Sequence, residues 1–263
     1  MTPGRVFPGP QKGDLVDKSL AKGGWDERVS RLTSALDEYA TSAGDFAVSF
    51  VDKRTGHRYD YHGDREFETA SVVKLELLAA LLLQAQDAGR TLTSAEQQRV
   101  RKMIVASDND SAVQVYDAIG GPGGLRAALH RLGLDDTDPA DNFGLTTTTA
   151  KDQTRMVTAL TATGSPLKPK SRELILQLMS SVNADQTWGI SAASFAGEQT
   201  AQKNGWLSRS TENGRWIVNT TGRISGEKTD VALSVLSHGH RDQQSGIKVV
   251  EQIAALTRSY LGW

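Results

Sequence analysis

The stretch from Val72 to Leu83 is apolar on nearly every side of a helix, interrupted only by Lys74 and Glu76. A helix with one apolar stripe can lie on a surface, but one that is apolar all round must be enclosed by other elements. The stretch is too short and too charged to cross a bilayer, so the chain has to build a soluble core around it. With 263 residues, 38% of them apolar and 23% charged, there is enough chain to do so. Ser71 opens this helix and Lys74 follows one turn on, on the same face. A serine there has free backbone N–H groups and the positive end of the helix dipole beside it. A lysine there is partly desolvated, which lowers its pKa and suits it to act as a base.

Hydrophobic periodicity organises the rest of the chain. Residues 1–24 are rich in Gly, Pro and Lys without an apolar period and read as a flexible N-terminal arm. From Trp25, the residues Val29, Leu32, Leu36 and Tyr39 recur at helical steps until Gly44. Phe46–Val51 and His57–Tyr61 read as a hairpin. From Ser71 to Val182 the pattern is helical. Thr93 or Ser94 caps one helix, and others cover Ser111–Ile119, Gly124–Leu132, Asp152–Leu160 and Ser171–Met179. Gly120–Gly124 reads as an interhelical loop. Strands follow around Gln199–Leu207, Trp216–Ile224 and Asp230–Ser237, then a closing helix over Gln244–Tyr260. The fold class expected is α/β of the α+β type: a five-stranded antiparallel sheet flanked by the N- and C-terminal helices, with an inserted all-helical subdomain. The boundaries implied are 25–66 and 197–263 for the discontinuous α/β part and 67–196 for the helical part.

Three short motifs lie on this frame. Ser-x-x-Lys occurs five times, from Ser19, Ser71, Ser165, Ser225 and Ser245, but only Ser71 opens an apolar helix. Ser107-Asp108-Asn109 falls between two helical patterns, where a polar turn is natural. Lys203-Asn204-Gly205 lies inside a strand, where glycine marks a bulge or the close approach of another backbone. Each is weak alone. Together, in this order and in these settings, they match the active-site elements of penicillin-recognising serine enzymes. The chain resembles the class A β-lactamase family and its D,D-peptidase relatives over roughly residues 25–263. The threonine run Thr146–Thr149 and the segment Gly124–Gly133 add to the resemblance.

The resemblance implies a role for each position. Ser71 would attack a carbonyl and become acylated, with Lys74 taking its proton directly or through water. Ser107 would relay a proton to the departing nitrogen, while Lys203 holds its hydroxyl and attracts a substrate carboxylate. Asn109 would bind the acyl side-chain amide and help position Lys74. Gly205 would let the substrate lie along the strand as an added edge strand. The N–H groups of Ser71 and Trp206 would form the oxyanion hole. The substrate implied is a β-lactam or a D-Ala-D-Ala-like peptide, and the reaction β-lactamase-type hydrolysis through an acyl-enzyme. The rivals are a D,D-peptidase or other amidase or esterase that deacylates slowly, and a non-catalytic relative that binds such ligands.

Two departures from the family pattern stand out. Asn204 replaces a usual Thr or Ser, and Trp206 sets a large ring beside the substrate strand. The family also carries a deacylating Glu, with an Asn four residues on, in a loop before the threonine run. The corresponding stretch, Leu134–Leu145, holds no Glu, only Asp138 or Asp141 as shorter substitutes. Acylation is therefore expected to be better supported than turnover.

The remaining features exclude more than they assign. A formal net charge of −1 gives no field to recruit nucleic acid or an anionic membrane. Without cysteine there is no disulfide, thiolate zinc site or thiol nucleophile. No cofactor or metal is expected, because His238-Gly239-His240 reads as a turn after a strand. Met1-Thr2-Pro3-Gly4 is not the start of a signal peptide. An extracytoplasmic or secreted monomer is expected if the chain begins after an export signal.

Overall fold

A computed structural model describes residues 13–263. The chain runs through α1 (Trp25–Ala43), β1 (Asp45–Asp52), β2 (Arg58–Tyr61) and β3 (Glu66–Glu68). A 3-10 turn, Ala70–Val73, leads into α2 (Lys74–Asp87). Next come α3 (Ser94–Val105), α4 (Asn109–Ile119), α5 (Gly121–Leu132), β4 (Thr147–Thr149), α6 (Ala150–Ala159) and α7 (Pro169–Met179). The chain then returns through β5 (Gln199–Arg209), β6 (Arg215–Ser225) and β7 (Asp230–His238), and closes in α8 (Gln243–Leu261).

The α+β architecture expected from the sequence is the one observed. Five antiparallel strands form a sheet in the order β2-β1-β7-β6-β5, with β5 at an edge. Along β1, Phe46, Val48 and Phe50 face Leu32 and Leu36 of α1 and Val250 and Ile253 of α8. Ala47 and Val51 face the other way, towards Ala150 and Val157 of α6. Both sheet faces are thus covered, which is why β1 is apolar without a clean alternation. A second core surrounds α2, whose leucines meet α3, α4, α5 and α7 through residues such as Met103, Val115, Leu129 and Ile175. The all-round apolar run of the sequence is the axis of this core.

Caps set the helix ends. Thr93 and Glu96 form a capping box on α3, and Asp108 caps α4 by accepting from Ser111 N at 2.7 Å. The cap moves the start of α4 back to Asn109, two residues before the apolar pattern begins.

Three sequence expectations change. Residues 1–12 of the supposed arm lie outside the described residues, but from Gly13 onwards the chain is docked. Asp17 N–H donates to Ser259 Oγ of α8 at 2.9 Å, and Lys18 sits over the Phe195 ring. Gly120–Gly124 is not a loop: Gly120 (φ 95°) and Gly121 (φ 60°) make the turn, and α5 already begins at Gly121 with Pro122 in its first turn. A Cβ on Gly124 would lie 1.7 Å from the Ile119 carbonyl, so this close helix junction requires glycine. Finally, the threonine run is a strand. Thr147–Thr149 pair with Glu66–Glu68 in a separate two-stranded ladder, as β-branched residues favour.

Candidate active site

Ser71 sits in the 3-10 turn at the root of α2, following an alanine with φ of 47°. A non-glycine residue held there is strained, and the surroundings show what holds it. Thr69 N–H donates to Thr146 O at 2.8 Å. From β6, Asn219 Nδ2 donates to Glu68 O at 2.8 Å and Thr69 O at 3.1 Å, while its Oδ1 accepts from Ser237 N of β7. The short β3–β4 ladder and one buried asparagine thus set the direction of the Ser71 side chain.

Lys74 is fully buried. Its Nζ donates to Ser107 O at 2.6 Å and to Asn109 Oδ1 at 2.7 Å, and it lies 3.2 Å from Ser107 Oγ. Lys203, fully buried on β5, reaches the same Ser107 Oγ at 3.0 Å and also donates to Asn204 O at 2.8 Å. Ser107 has φ of 56°, which turns its hydroxyl back between the two amines. The structure thus brings Lys74, Ser107, Asn109 and Lys203 into one hydrogen-bonded cluster. The partners of Lys74 do not include the Ser71 hydroxyl.

The electrostatics follow from burial. Desolvation lowers the Lys74 ammonium to about 8, against the opposing pull of Asp108. Lys203 is pushed well down by burial and then by the charge of Lys74. Two ammonium ions against one neutral oxygen repel each other, so the arrangement favours one neutral amine. A neutral Lys74 has two N–H donors for Ser107 O and Asn109 Oδ1 and a lone pair left for the Ser107 hydroxyl proton.

Gly205 is where β5 meets the Ser71 turn. A Cβ there would lie 2.7 Å from Thr69 O and 2.8 Å from both Ser71 N and Val72 N. Gly205→Ala is therefore expected to push β5 off the turn. It should cost about 1–3 kcal/mol, read in denaturant melts, and slow any acylation of Ser71.

Asn204 departs from its expected role. It is buried, and its Nδ2 donates to Gln186 O at 3.0 Å and Trp188 O at 2.9 Å, alongside Gln202 Nε2 on the same carbonyls. Alternation along the strand puts it on the face opposite Lys203, and there its amide is taken up by the 186–190 loop. This also accounts for Trp188-Gly189-Ile190. The Trp188 carbonyl is a latch, Gly189 (φ 92°) passes close to Thr220, and the Trp188 ring meets Trp206 edge-on at 5.9 Å.

Ser71 opens onto a cleft of about 410 Å³ between α4, the 141–144 loop and β5, lined by Asn109, Tyr116, Asp141, Phe143 and Trp206 among others. On its loop side no carboxylate occupies the place next to Lys74. Phe143 does, its ring centroid 5.8 Å from Lys74 Nζ and edge-on to Tyr116. Asp138 points outward, paired with Arg126 at 2.6 Å. Asp141 lines the cleft. Sequence reasoning missed Asn219, Phe143 and Tyr116. A lone Asn in a strand and isolated aromatics carry no motif, though the mid-strand amide of Asn219 was a signal in principle. Arg223 pairs with Asp230 at 2.7 Å, and Arg215 donates to Gly239 O. Among the described residues no acidic or histidine cluster could hold a metal ion.

The fold superposes on the TLA-1 extended-spectrum β-lactamase with a TM-score of 0.79 at 14% identity, covering 89% of this chain and 99% of that one. It superposes on PBP-A with a TM-score of 0.74 at 18% identity, covering 87% and 94%. In sequence, the putative lipoprotein LppW of Mycobacterium tuberculosis (strain ATCC 25618 / H37Rv) is 27% identical over 214 residues, 78% of this chain and 67% of that protein. Residues 28–101 and 95–261 match the β-lactamase enzyme family, which spans nearly all of both cores and the whole cluster around Ser107. The chain belongs to the β-lactamase enzyme family.

Proposed function

We propose that this protein is a serine acyltransferring hydrolase that opens a β-lactam, or a D-Ala-D-Ala-like peptide, on Ser71 and releases the acyl group slowly. The observation that carries the reading is the Ser107 hydroxyl held 3.2 and 3.0 Å from two buried amines, beside the cleft that contains Ser71. In this mechanism Ser71 Oγ attacks the amide carbon as its proton passes to neutral Lys74. The oxyanion rests against the N–H groups of Ser71 and Trp206. The C–N bond then breaks, the nitrogen takes the Ser107 proton, and Lys74 returns a proton to Ser107. Lys203 stabilises the Ser107 oxygen and attracts the substrate carboxylate, and Asn109 fixes Lys74 and meets the acyl amide. Slow release is supported by Phe143, which occupies the side of the cleft where a carboxylate would activate water. Asp141 is the one acid of the 134–145 loop that borders the cleft.

Two similarities support the substrate class and location. A PBP-A variant has been solved as an acyl-enzyme complex with penicillin-G, and one curated relative is named a putative lipoprotein. A location outside the cytoplasm fits the second of these. Among the described residues no helix is long and apolar enough to cross a membrane. The test is intact-protein mass after incubation with penicillin-G. A persistent adduct of one penicilloyl group is expected, and none in Ser71→Ala. Rapid steady turnover of a chromogenic cephalosporin would replace slow release by true β-lactamase action. An adduct of equal yield in Ser71→Ala would end the reading.

A further inference from the structure

We infer that the cleft selects acyl donors whose side chain is an apolar stem ending in a cation, with Asp117 and Asp141 as the residues that read the charge. The inference rests on the acyl-enzyme reading above and specifies its substrate class.

The cleft is one-sided in charge. Apart from Lys203, assigned above to the substrate carboxylate and buried with Lys74 behind the cleft, the lining holds no basic residue and two carboxylates, Asp117 on α4 and Asp141 on the loop opposite. Among the described residues neither carboxylate is hydrogen-bonded or ion-paired through its side chain. Nearby acids differ: Asp138 is tied to Arg126, Asp135 to His130 and Asp136 to Arg155. The charge of Asp141 helps push the Tyr116 phenol upward, after burial, which puts that carboxylate beside the aromatic wall.

A second observation concerns the walls themselves. Val113 is 48% exposed, an unusual position for a large apolar side chain in this protein, and it lines the same cleft with Tyr116, Phe143 and Trp206. Methylene groups packed there leave water together with Val113 and the ring faces. A terminal ammonium can then reach towards the two rim carboxylates while staying hydrated, as a long amine does when it snorkels. A terminal carboxylate in the same place meets like charge. Recognition of an exposed cation by exposed carboxylates amounts to a preference of about fivefold per contact in water, and it is screened by salt.

The probe is a matched pair made on 6-aminopenicillanic acid, one N-acylated with 6-aminohexanoic acid and the other with hexanoic acid. The rate of Ser71 acylation is followed for each by intact mass. At low ionic strength the amine-bearing donor is expected to acylate about fivefold faster. The ratio is expected to approach one in about 0.5 M salt. It is expected to do the same at low salt in the Asp117→Asn/Asp141→Asn variant. The salt series on the unaltered protein gives an answer even if that variant folds poorly. Equal rates for the two donors, or a preference that persists in both salt and the variant, would overturn the inference while leaving the acyl-enzyme intact. Failure of both donors to label Ser71 would remove the acyl-enzyme reading and this inference with it.

Discussion

Replacing Lys74 by alanine is expected to slow acylation by a factor of about 10³, within the range a positioned general base supplies. The unaltered protein is expected to acylate faster as pH rises through about 8, because only the neutral amine can take the Ser71 proton. The sign follows from burial, which destabilises the ammonium and so lowers its pKa towards working pH. Lys74→Arg should be nearly as slow as the alanine variant at every pH, since a guanidinium stays charged and has no lone pair to offer. Loss of activity in Lys74→Ala should not come from unfolding, because removing one of the two amines that crowd Ser107 relieves repulsion on Lys203 and offsets the lost bonds to Ser107 O and Asn109 Oδ1, so its melt should stay close to the original. A rate independent of pH between about 6 and 9 would show that Lys74 is not the base.

The second large effect lies on α2 but away from the cleft. Glu76 is fully buried, two residues after Lys74 and on the other side of the helix. It accepts from Gln153 Nε2 at 2.8 Å, while its second oxygen and Gln153 Oε1 have no partner. Burial raises its pKa from 4.5 to about 7, with the Gln153 bond acting in the opposite direction. A raised carboxyl holds its proton in the folded state over a range where the unfolded chain has released it. Its contribution to stability therefore falls as pH rises from about 4.5 to about 7, and levels off above that. The full loss is about 3 kcal/mol. Glu76→Gln keeps the shape and supplies a permanent donor for Gln153 Oε1. Urea melts at pH 5 and pH 8 are expected to show near-equal stability at the lower pH and a variant more stable by about 2 kcal/mol at the higher. Asp152, also raised by burial, contributes a slope of the same sign to both proteins, and its charge adds to the upward push on Glu76. Parallel pH curves for the two proteins would mean that Glu76 is ionised when folded.

How legible this molecule is from its sequence depends on whether a residue acts through a pattern or through a contact. The enclosed helix, the five strands and both terminal helices were legible because periodicity and caps are local properties of the chain. Ser71, Lys74, Ser107, Asn109 and Lys203 were legible as a set because each lies in a short motif. The structure then gathers four of them on one another and sets Ser71 in the lining of the cleft. Asn204 was misread because motif position alone does not say which face of a strand a side chain takes. Gln202, two residues earlier, makes the same two loop contacts and shows the face. Phe143 was not legible, and the mid-strand amide of Asn219 marked a position without its role. Their roles come from partners some 70 to 150 positions away, Lys74 for the ring and Glu68 and Thr69 for the amide.

The pairing of β1 with β7 joins Asp45 to His238 and Asp52 to Val231, the two ends of the chain. During synthesis β1 emerges early, yet its central-sheet neighbour is made almost last. The core around α2 also waits for β5, whose Ala201 belongs to it. The cavity that needs Lys203 closes only when the C-terminal third arrives. Such long-range pairing makes folding slow for the size of the chain. It also means that neither core nor the cluster at Ser107 can be finished before β5 is added.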